Sequence, residues 1–171
     1  MWVIESGGCG GQVYGAGWLA DEWDYDSYRD NCARIQTKHF QNLFTRREWW
    51  TLVPDYNHAF VISGYGTLSA TTTDYVGAAI NAKGTLGIVY CPKATTVSVD
   101  MSKFTGPVRA RWFDPTNGAF TPIHDSPFPN SGSHPFTTPQ ETSAGSGDWV
   151  LLLESQNLPM TGGSGAFSRD N

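Results

Sequence analysis

Residues 108–118 read VRARWFDPTNG and show how a strand of this chain ends. Apolar and polar side chains alternate over the first five positions, so Trp112 should face a core while Phe113 points to the opposite side. The proline that follows presets φ, Gly118 accepts a positive φ, and Asp114 stands where an aspartate accepts turn amide hydrogens. The stretch therefore predicts a strand that closes in a hairpin turn, with Trp112, Asp114 and Gly118 in structural roles.

Similar short, β-rich runs separated by turn residues continue from about residue 58 onward. They read AFVISG, DYVGAAIN, LGIVYC, TVSVDM, VRARWF, HPFTTP and DWVLLLE. The connections at 82–84, 103–107 and 115–118 are short enough for neighbouring strands to pair as hairpins. DWVLLLE is apolar on both faces, as in a central strand, and its Trp149 should be a core residue. The pattern predicts a mainly β fold, an antiparallel two-layer β-sandwich of about seven or eight strands.

The amino-terminal part does not show this pattern of short β-rich runs. Residues 12–15, QVYG, read as a short strand that leaves a glycine-rich turn, and residues 18–28 form a loop dense in tryptophan, tyrosine and acid. Apolar residues then recur at three- to four-residue spacing, which predicts one long helix from about Ser27 to Trp49, with Pro54 ending that element. We therefore expect a strand, loop and helix in residues 1–57, the sandwich in 58–158 and a flexible glycine-rich tail in 159–171.

Composition and charge exclude several classes of protein. The chain has 171 residues, of which 39% are hydrophobic and only 16% charged, and this balance is typical of a folded domain. Its net charge is −5 and its 11 Lys and Arg residues form no basic stripe, so nucleic acid is not an expected partner. No run of about 18 apolar residues is present, so no membrane span is expected. The amino terminus does not read as a signal peptide.

The usual residues of metal and nucleophilic sites have no suitable spacing. Cys9, Cys32 and Cys91 are odd in number and far apart, which fits neither a paired disulfide framework nor a short metal-binding motif. A single Cys9–Cys32 bridge stays open, because spacing cannot decide it. The four histidines have no G-x-S-x-G or H-E-x-x-H partner sequence. We expect no metal and no cofactor.

Residues 84–120, which read GTLGIVYCPKATTVSVDMSKFTGPVRARWFDPTNGAF, and the later GDWVLLLE resemble a known family. The family is the carboxyl-terminal β-sandwich catalogued as a "putative collagen-binding domain", which commonly follows an apiosidase-like catalytic barrel in secreted bacterial glycoside hydrolases. The resemblance covers about residues 75–154. The matching positions are Tyr90, Pro92, Val97 to Asp100, Trp112, Phe113, Asp114, Pro115, Gly118, Asp148 and Trp149.

Two upstream stretches also resemble parts of that enzyme family. SGGCGGQVYG, with Tyr14 and Gly15, is similar to the last barrel strand, and EWWTLVPD is similar to the end of the last barrel helix. A complete eight-stranded α/β barrel needs about 250 residues, so at most its final strand and helix could precede Pro54. The resemblance thus implies no catalytic residue in this chain. It implies that Tyr14 and Trp18 lie near the sugar site of a complete enzyme, and that the protein is extracellular or periplasmic.

The leading hypothesis is the carboxyl-terminal accessory portion of a glycoside hydrolase, which braces the barrel or binds polysaccharide or oligosaccharide and is not catalytic alone. Aromatic side chains on a loop or helix end, where burial is not forced, are the candidate sugar-binding residues. They are Tyr14, Trp18, Trp23, Tyr25, Trp49 and Trp50. The missing barrel or another copy of this chain is the other expected partner.

Two alternatives from other classes remain open. The first is an independent small glycoside hydrolase that uses the acidic aromatic loop 18–28, where Asp21, Glu22, Asp24 and Asp26 cluster. Glycosidases need two carboxyl groups about 5–9.5 Å apart, and neighbouring carboxylates of one loop are poorly placed to face each other across a sugar. The second alternative is a protein-binding or assembly module, in which the glycine-rich amino-terminal strand pairs with another chain.

Overall fold

The computed structural model describes residues 32–69, 71, 74–145 and 147–156. Within them the chain forms one α-helix, two short 3₁₀ helices and nine strands in two antiparallel sheets, with no closed barrel. The elements are α1 (Cys32–Thr45), β1 (Leu52–Pro54), β2 (Val61–Ser63), β3 (Gly77–Asn81), β4 (Leu86–Cys91), β5 (Thr96–Asp100), β6 (Val108–Phe113), β7 (Phe120–Pro122), β8 (Ser133–Thr137) and β9 (Trp149–Ser155), with 3₁₀ helices at Trp49–Thr51 and Met101–Lys103. The predicted mainly β sandwich is confirmed.

The larger sheet has six strands in the order β1-β3-β4-β9-β6-β7, and the smaller sheet has the order β2-β5-β8. Strand β9 lies inside the larger sheet, where Leu152 pairs with Ile88 of β4 on one side and with Arg111 of β6 on the other. Both of its neighbours are therefore strands, and both of its faces are covered. This position explains why DWVLLLE is apolar at consecutive residues instead of alternating.

The larger sheet is the middle of three layers, because each of its faces packs against another element. One face meets the smaller sheet in a sandwich core that includes Val61, Val97, Val99 and Phe136 from the smaller sheet and Val89, Val108, Trp112, Leu151 and Leu153 from the larger one. The other face is covered by α1 in a second core that contains Leu43, Phe44, Ala79, Leu86, Ile88, Phe113, Val150 and Leu152. Strand β9 therefore supplies alternate residues to the two cores, as the two-residue period of a strand requires.

The predicted end of the helix is wrong. Helix α1 stops at Thr45, a tight turn follows in which the Arg47 N–H donates to the Phe44 carbonyl at 2.9 Å, and a 3₁₀ helix leads into β1. Pro54 does not terminate a helix but closes β1, an edge strand in which a proline is tolerated. Within the described residues, no helix combines the length and hydropathy that a membrane crossing requires.

Two of the three predicted hairpins are confirmed and one is wrong. β3 pairs with β4 through the 82–84 turn, and β6 pairs with β7 through the 115–118 turn. The 103–107 connection instead carries the chain from β5 in the smaller sheet to β6 in the larger one. Met101 and Phe104 are buried beneath it, so the connection crosses the edge of the sandwich core. The predicted division of the chain at residues 57 and 58 stays a prediction.

Candidate functional site

The turn after β6 is held by a buried carboxylate. Asp114 is only 4% exposed, and its side chain accepts the Thr116 N–H at 2.8 Å and the Ser143 N–H at 3.0 Å. Burial raises the pKa of Asp114, but the hydrogen bonds from Ser143 and Thr116 outweigh it, so the pKa lies below its ordinary value. The carboxylate thus joins the hairpin to the loop between β8 and β9.

The same turn rests on the helix. Gly118 has a φ of 76°, and its N–H donates to the Asp114 carbonyl at 2.9 Å. A Cβ at this position would lie 2.5 Å from Nδ1 of His39 in α1. Position 118 therefore requires glycine for two reasons: the positive φ of the backbone and the close approach of the His39 imidazole.

Trp112 and Trp149 lie in the sandwich core. They are 5% and 6% exposed, and their rings meet edge to face with centroids 6.5 Å apart. The Trp149 indole N–H donates to the Gln140 carbonyl at 2.8 Å, which satisfies its polar atom within the protein. Neither ring is accessible to a ligand.

Most of the predicted sugar-binding aromatics lie outside the described residues. These are Tyr14, Trp18, Trp23 and Tyr25, and the acidic loop 18–28 and Cys9 also lie there. Within the described residues, Trp49 is half-buried against the second core and Trp50 is 66% exposed. The two indoles are nearly perpendicular with centroids 6.2 Å apart, and the neighbouring Glu48 pairs with Lys83 at 3.5 Å. Trp50 thus presents an open aromatic surface next to a charged pair.

A set of charged residues that the sequence reasoning did not single out connects the end of α1 to the larger sheet. Nε of Arg47 donates to Glu154 at 2.8 Å, and Arg111 donates to the other carboxylate oxygen of Glu154. All three side chains are largely buried: Arg47 is 11% exposed, Arg111 is 22% exposed and Glu154 is 23% exposed. The Phe120 ring lies beside both guanidinium groups, with its centroid 4.6 Å from Cζ of Arg111. No local spacing signals this cluster, because Arg47 and Glu154 are 107 residues apart.

Burial and the neighbouring positive charges lower the pKa of Arg47, and Glu154 only partly offsets them. Burial lowers the pKa of Arg47, Glu154 opposes that shift, and the positive charges of Arg111 and Arg46 add to it. Arg109 lies directly across from Glu154 in the pairing of β6 with β9, so both project from the same face of the sheet. We call Arg46, Arg47, Arg109 and Arg111 the arginine cluster; Arg47 and Arg111 pair with Glu154.

A second group missed by sequence reasoning lies in the segments that connect β1 to β2 and β2 to β3. The His58 imidazole stacks on the Tyr65 ring with centroids 3.7 Å apart, and Tyr75 approaches edge-on at 6.1 Å. His58 has a φ of 50°, and the carboxylate of Asp55 accepts the backbone N–H of Phe60 and of its two neighbours. These rings are mutually packed and half-buried, which is typical of a loop held in one conformation.

The described residues offer few groups for catalysis or metal binding. Within this part of the chain, no three His, Cys, Asp or Glu side chains are close enough to hold a metal ion. Cys91 is a free thiol in the sandwich core, and burial raises its pKa to about 12. A thiol that stays protonated is a poor nucleophile.

The fold defines a β-sandwich module that carries a helix on the outer face of its larger sheet. Residues 65–154 match the family model described as "Putative collagen-binding domain of a collagenase". Because the match covers more than half of the chain, the chain belongs to this family. The resemblance stated from the sequence is confirmed. None of the curated proteins matches the chain.

Two solved structures share the fold. One is titled "Glycoside hydrolase", with a TM-score of 0.63 and 22% identity over 85% of this chain and 30% of its own. The other is a glycoside hydrolase family 5 protein from Bacteroides vulgatus, with a TM-score of 0.64 and 22% identity over 84% of this chain and 29% of its own. This chain therefore spans about 30% of the length of the solved structures it matches. The structural likeness also covers more of this chain than the 65–154 family match.

Proposed function

We propose that this chain is the accessory β-sandwich part of a secreted bacterial glycoside hydrolase, that it braces the catalytic domain and that it is not catalytic alone. Its family membership supports an accessory module. The two glycoside hydrolase structures that share its fold support the enzyme class, and one of them is bacterial. Roughly 70% of each of those chains lies beyond the matched part, which is room for a catalytic domain.

The joint between helix and sandwich is the observation that carries the bracing role. Leu43 is 1% exposed and Phe44 is 6% exposed, and both belong to the second core together with Ile88 and Leu152 of the larger sheet. Arg47 adds its ion pair with Glu154 just beyond the helix end. Each fully buried leucine or phenylalanine contributes about 1.5–3 kcal/mol. The sandwich thus holds the carboxyl-terminal end of α1 against its larger sheet.

Polysaccharide binding is a second candidate function, and the exposed Trp50 favours it. An indole that is 66% exposed leaves a large apolar face in water. Sugar rings stack on such a face while their hydroxyl groups reach polar neighbours, here Glu48 and Lys83. Collagen, which the family description names, belongs in the same binding experiments as a comparison ligand.

Assembly through strand pairing is disfavoured at the edges of the described sheets. Pro54 lies in edge strand β1, Pro122 in β7 and Pro135 in β8. The remaining edge strand, β2, has an irregular register between Val61 and Ser63. Prolines and irregular pairing are common ways to block the addition of another strand.

The first test is hydrolysis by the purified chain. Incubation with plant and bacterial polysaccharides should release no reducing sugar. Clear turnover that is abolished by Asp24→Asn or Asp26→Asn would overturn the accessory role and support the independent enzyme.

The second test separates bracing from binding in the parent enzyme. Leu43→Ala removes a buried side chain of the second core, and such changes cost about 2–5 kcal/mol. The matched control is Ile35→Ala, which changes a 40% exposed residue of the same helix. Bracing predicts faster thermal inactivation of glycosidase activity with Leu43→Ala than with Ile35→Ala. Equal inactivation rates would refute bracing.

Loss of polysaccharide retention in Trp50→Ala, with an unchanged inactivation rate, would favour polysaccharide binding.

A further inference from the structure

The arginine cluster holds more positive charge than its surroundings neutralise. Arg47 and Arg111 each donate to one oxygen of the single carboxylate Glu154. Among the described residues, no acid pairs with Arg46 or Arg109. Two guanidinium groups therefore share one carboxylate, Arg109 lies across from that carboxylate in the pairing of β6 with β9, and Arg46 adds a charge that acts on Arg47. Positive charges at such short range repel each other, and an incoming anion would relieve that repulsion.

One donor of the cluster is left without a partner inside the protein. Nε of Arg111 is buried and makes no hydrogen bond within the described part of the chain. An unmet buried donor costs about 1–3 kcal/mol, and an oxyanion is the acceptor that suits a guanidinium best. Arg46 and Arg109 are exposed, so their side chains are open to solvent.

An aromatic ring completes the surface. Phe120 is 38% exposed, and its ring lies 4.6 Å from Cζ of Arg111 and 5.6 Å from Cζ of Arg47. The ring also meets Phe113 at 5.0 Å, which fixes it to the second core. An anchored apolar surface beside exposed cations matches a sugar ring that carries an anionic group.

We propose that the arginine cluster binds the oxyanion groups, carboxylate or sulfate, of an acidic polysaccharide. That the oxyanion belongs to a polysaccharide rests on the proposed function. Charge complementarity argues for an acidic polymer over a neutral one, because a neutral sugar would leave the excess positive charge in place. Arg46 and Arg109 make the direct contacts, while Glu154 and Phe120 orient Arg47 and Arg111.

The test measures binding of the full chain to three polymers by affinity electrophoresis. Polygalacturonate carries carboxylates, dextran sulfate carries sulfate esters, and dextran is neutral. We expect Arg109→Ala and Arg46→Ala each to weaken binding of at least one acidic polymer about five-fold or more, which corresponds to about 1 kcal/mol. Lys93→Ala, which removes an exposed cation elsewhere, is the matched control and should change binding less than about two-fold. The polymer that responds identifies the oxyanion.

Arg109→Lys separates guanidinium recognition from charge alone. A lysine keeps the charge but loses the planar, bidentate donor pair, so we expect it to recover only part of the affinity. Equal losses for Arg109→Ala and Lys93→Ala would overturn the proposal, as would binding to dextran as tight as to the acidic polymers. Equally tight binding of duplex DNA would overturn it too, because that result means unspecific charge attraction. None of these outcomes touches the bracing role, whose readout is thermal inactivation with Leu43→Ala.

Discussion

Replacing Glu154 by glutamine should destabilise the joint between helix and sheet more than any other conservative change at a charged residue. The carboxylate accepts from Arg47 at 2.8 Å and from Arg111, and all three side chains are less than a quarter exposed. An amide of nearly the same shape keeps one oxygen, but it removes the charge that faces two guanidinium groups. Excess positive charge then remains in a half-buried place.

The magnitude follows from the two hydrogen bonds and their burial. A hydrogen bond to a charged group contributes about 1.5–3 kcal/mol, and breaking a fully buried ion pair costs about 3–5 kcal/mol. Water still reaches part of this cluster and screens it, so we expect Glu154→Gln to lower the free energy of unfolding by about 2–3 kcal/mol. For a chain of this size the melting temperature should fall by roughly 4–12 °C.

Thermal unfolding followed by circular dichroism measures this loss, and urea unfolding gives the free energy directly. Glu141→Gln is the matched control, because Glu141 is exposed in the loop between β8 and β9. Its melting temperature should stay within about 2 °C of the unchanged protein. A fall of less than about 2 °C for Glu154→Gln would refute the reasoning, since the ion pairs would then add nothing to the joint.

Three further predictions concern the hairpin turn and the buried thiol. Gly118→Ala should cost at least about 1 kcal/mol more than Gly145→Ala in urea unfolding, because both glycines have positive φ but only Gly118 faces the His39 ring. Asp114→Asn should cost about 1–3 kcal/mol at neutral pH. Because the folded pKa of Asp114 is depressed, its contribution is present above the ordinary value of 3.8 and is lost as pH falls through the folded pKa, so the two proteins should converge in acid. Cys91, whose pKa is raised to about 12, should resist iodoacetamide in the folded protein and react on unfolding, as peptide mass mapping would show.

Strands with a strong apolar pattern were predictable because their pattern reports burial directly. Strand β9 reads WVLLLES, and its two apolar faces fill two cores, so its central position could be inferred from the sequence. The alternation in β6 likewise placed Trp112 and Phe113 on opposite faces of the sheet. Strand β7 has three exposed residues and therefore no apolar pattern of its own, so the sequence predicted it only through the hairpin turn that precedes it.

Features set by long-range packing could not be predicted. Pro54 is ordinarily a helix terminator, yet here it ends β1, because Leu52 to Pro54 find partners in β3. The chain crosses between sheets after β5 because Met101 and Phe104 are buried in the sandwich core, and no short motif signals that. The arginine cluster has the same origin, since the chain must fold before residues so far apart in sequence meet.

Bracing requires that α1 and the sandwich unfold as one unit, because only then does the sandwich stabilise whatever α1 is attached to. Native-state hydrogen exchange measures this most directly, because it gives an opening free energy for each amide. The amides of Leu43 and Phe44 should open with nearly the same free energy as those of Leu151 and Leu152 in β9. Exchange of the α1 amides at an opening free energy near zero, while the β9 amides stay protected, would show that α1 opens separately and would refute the bracing role.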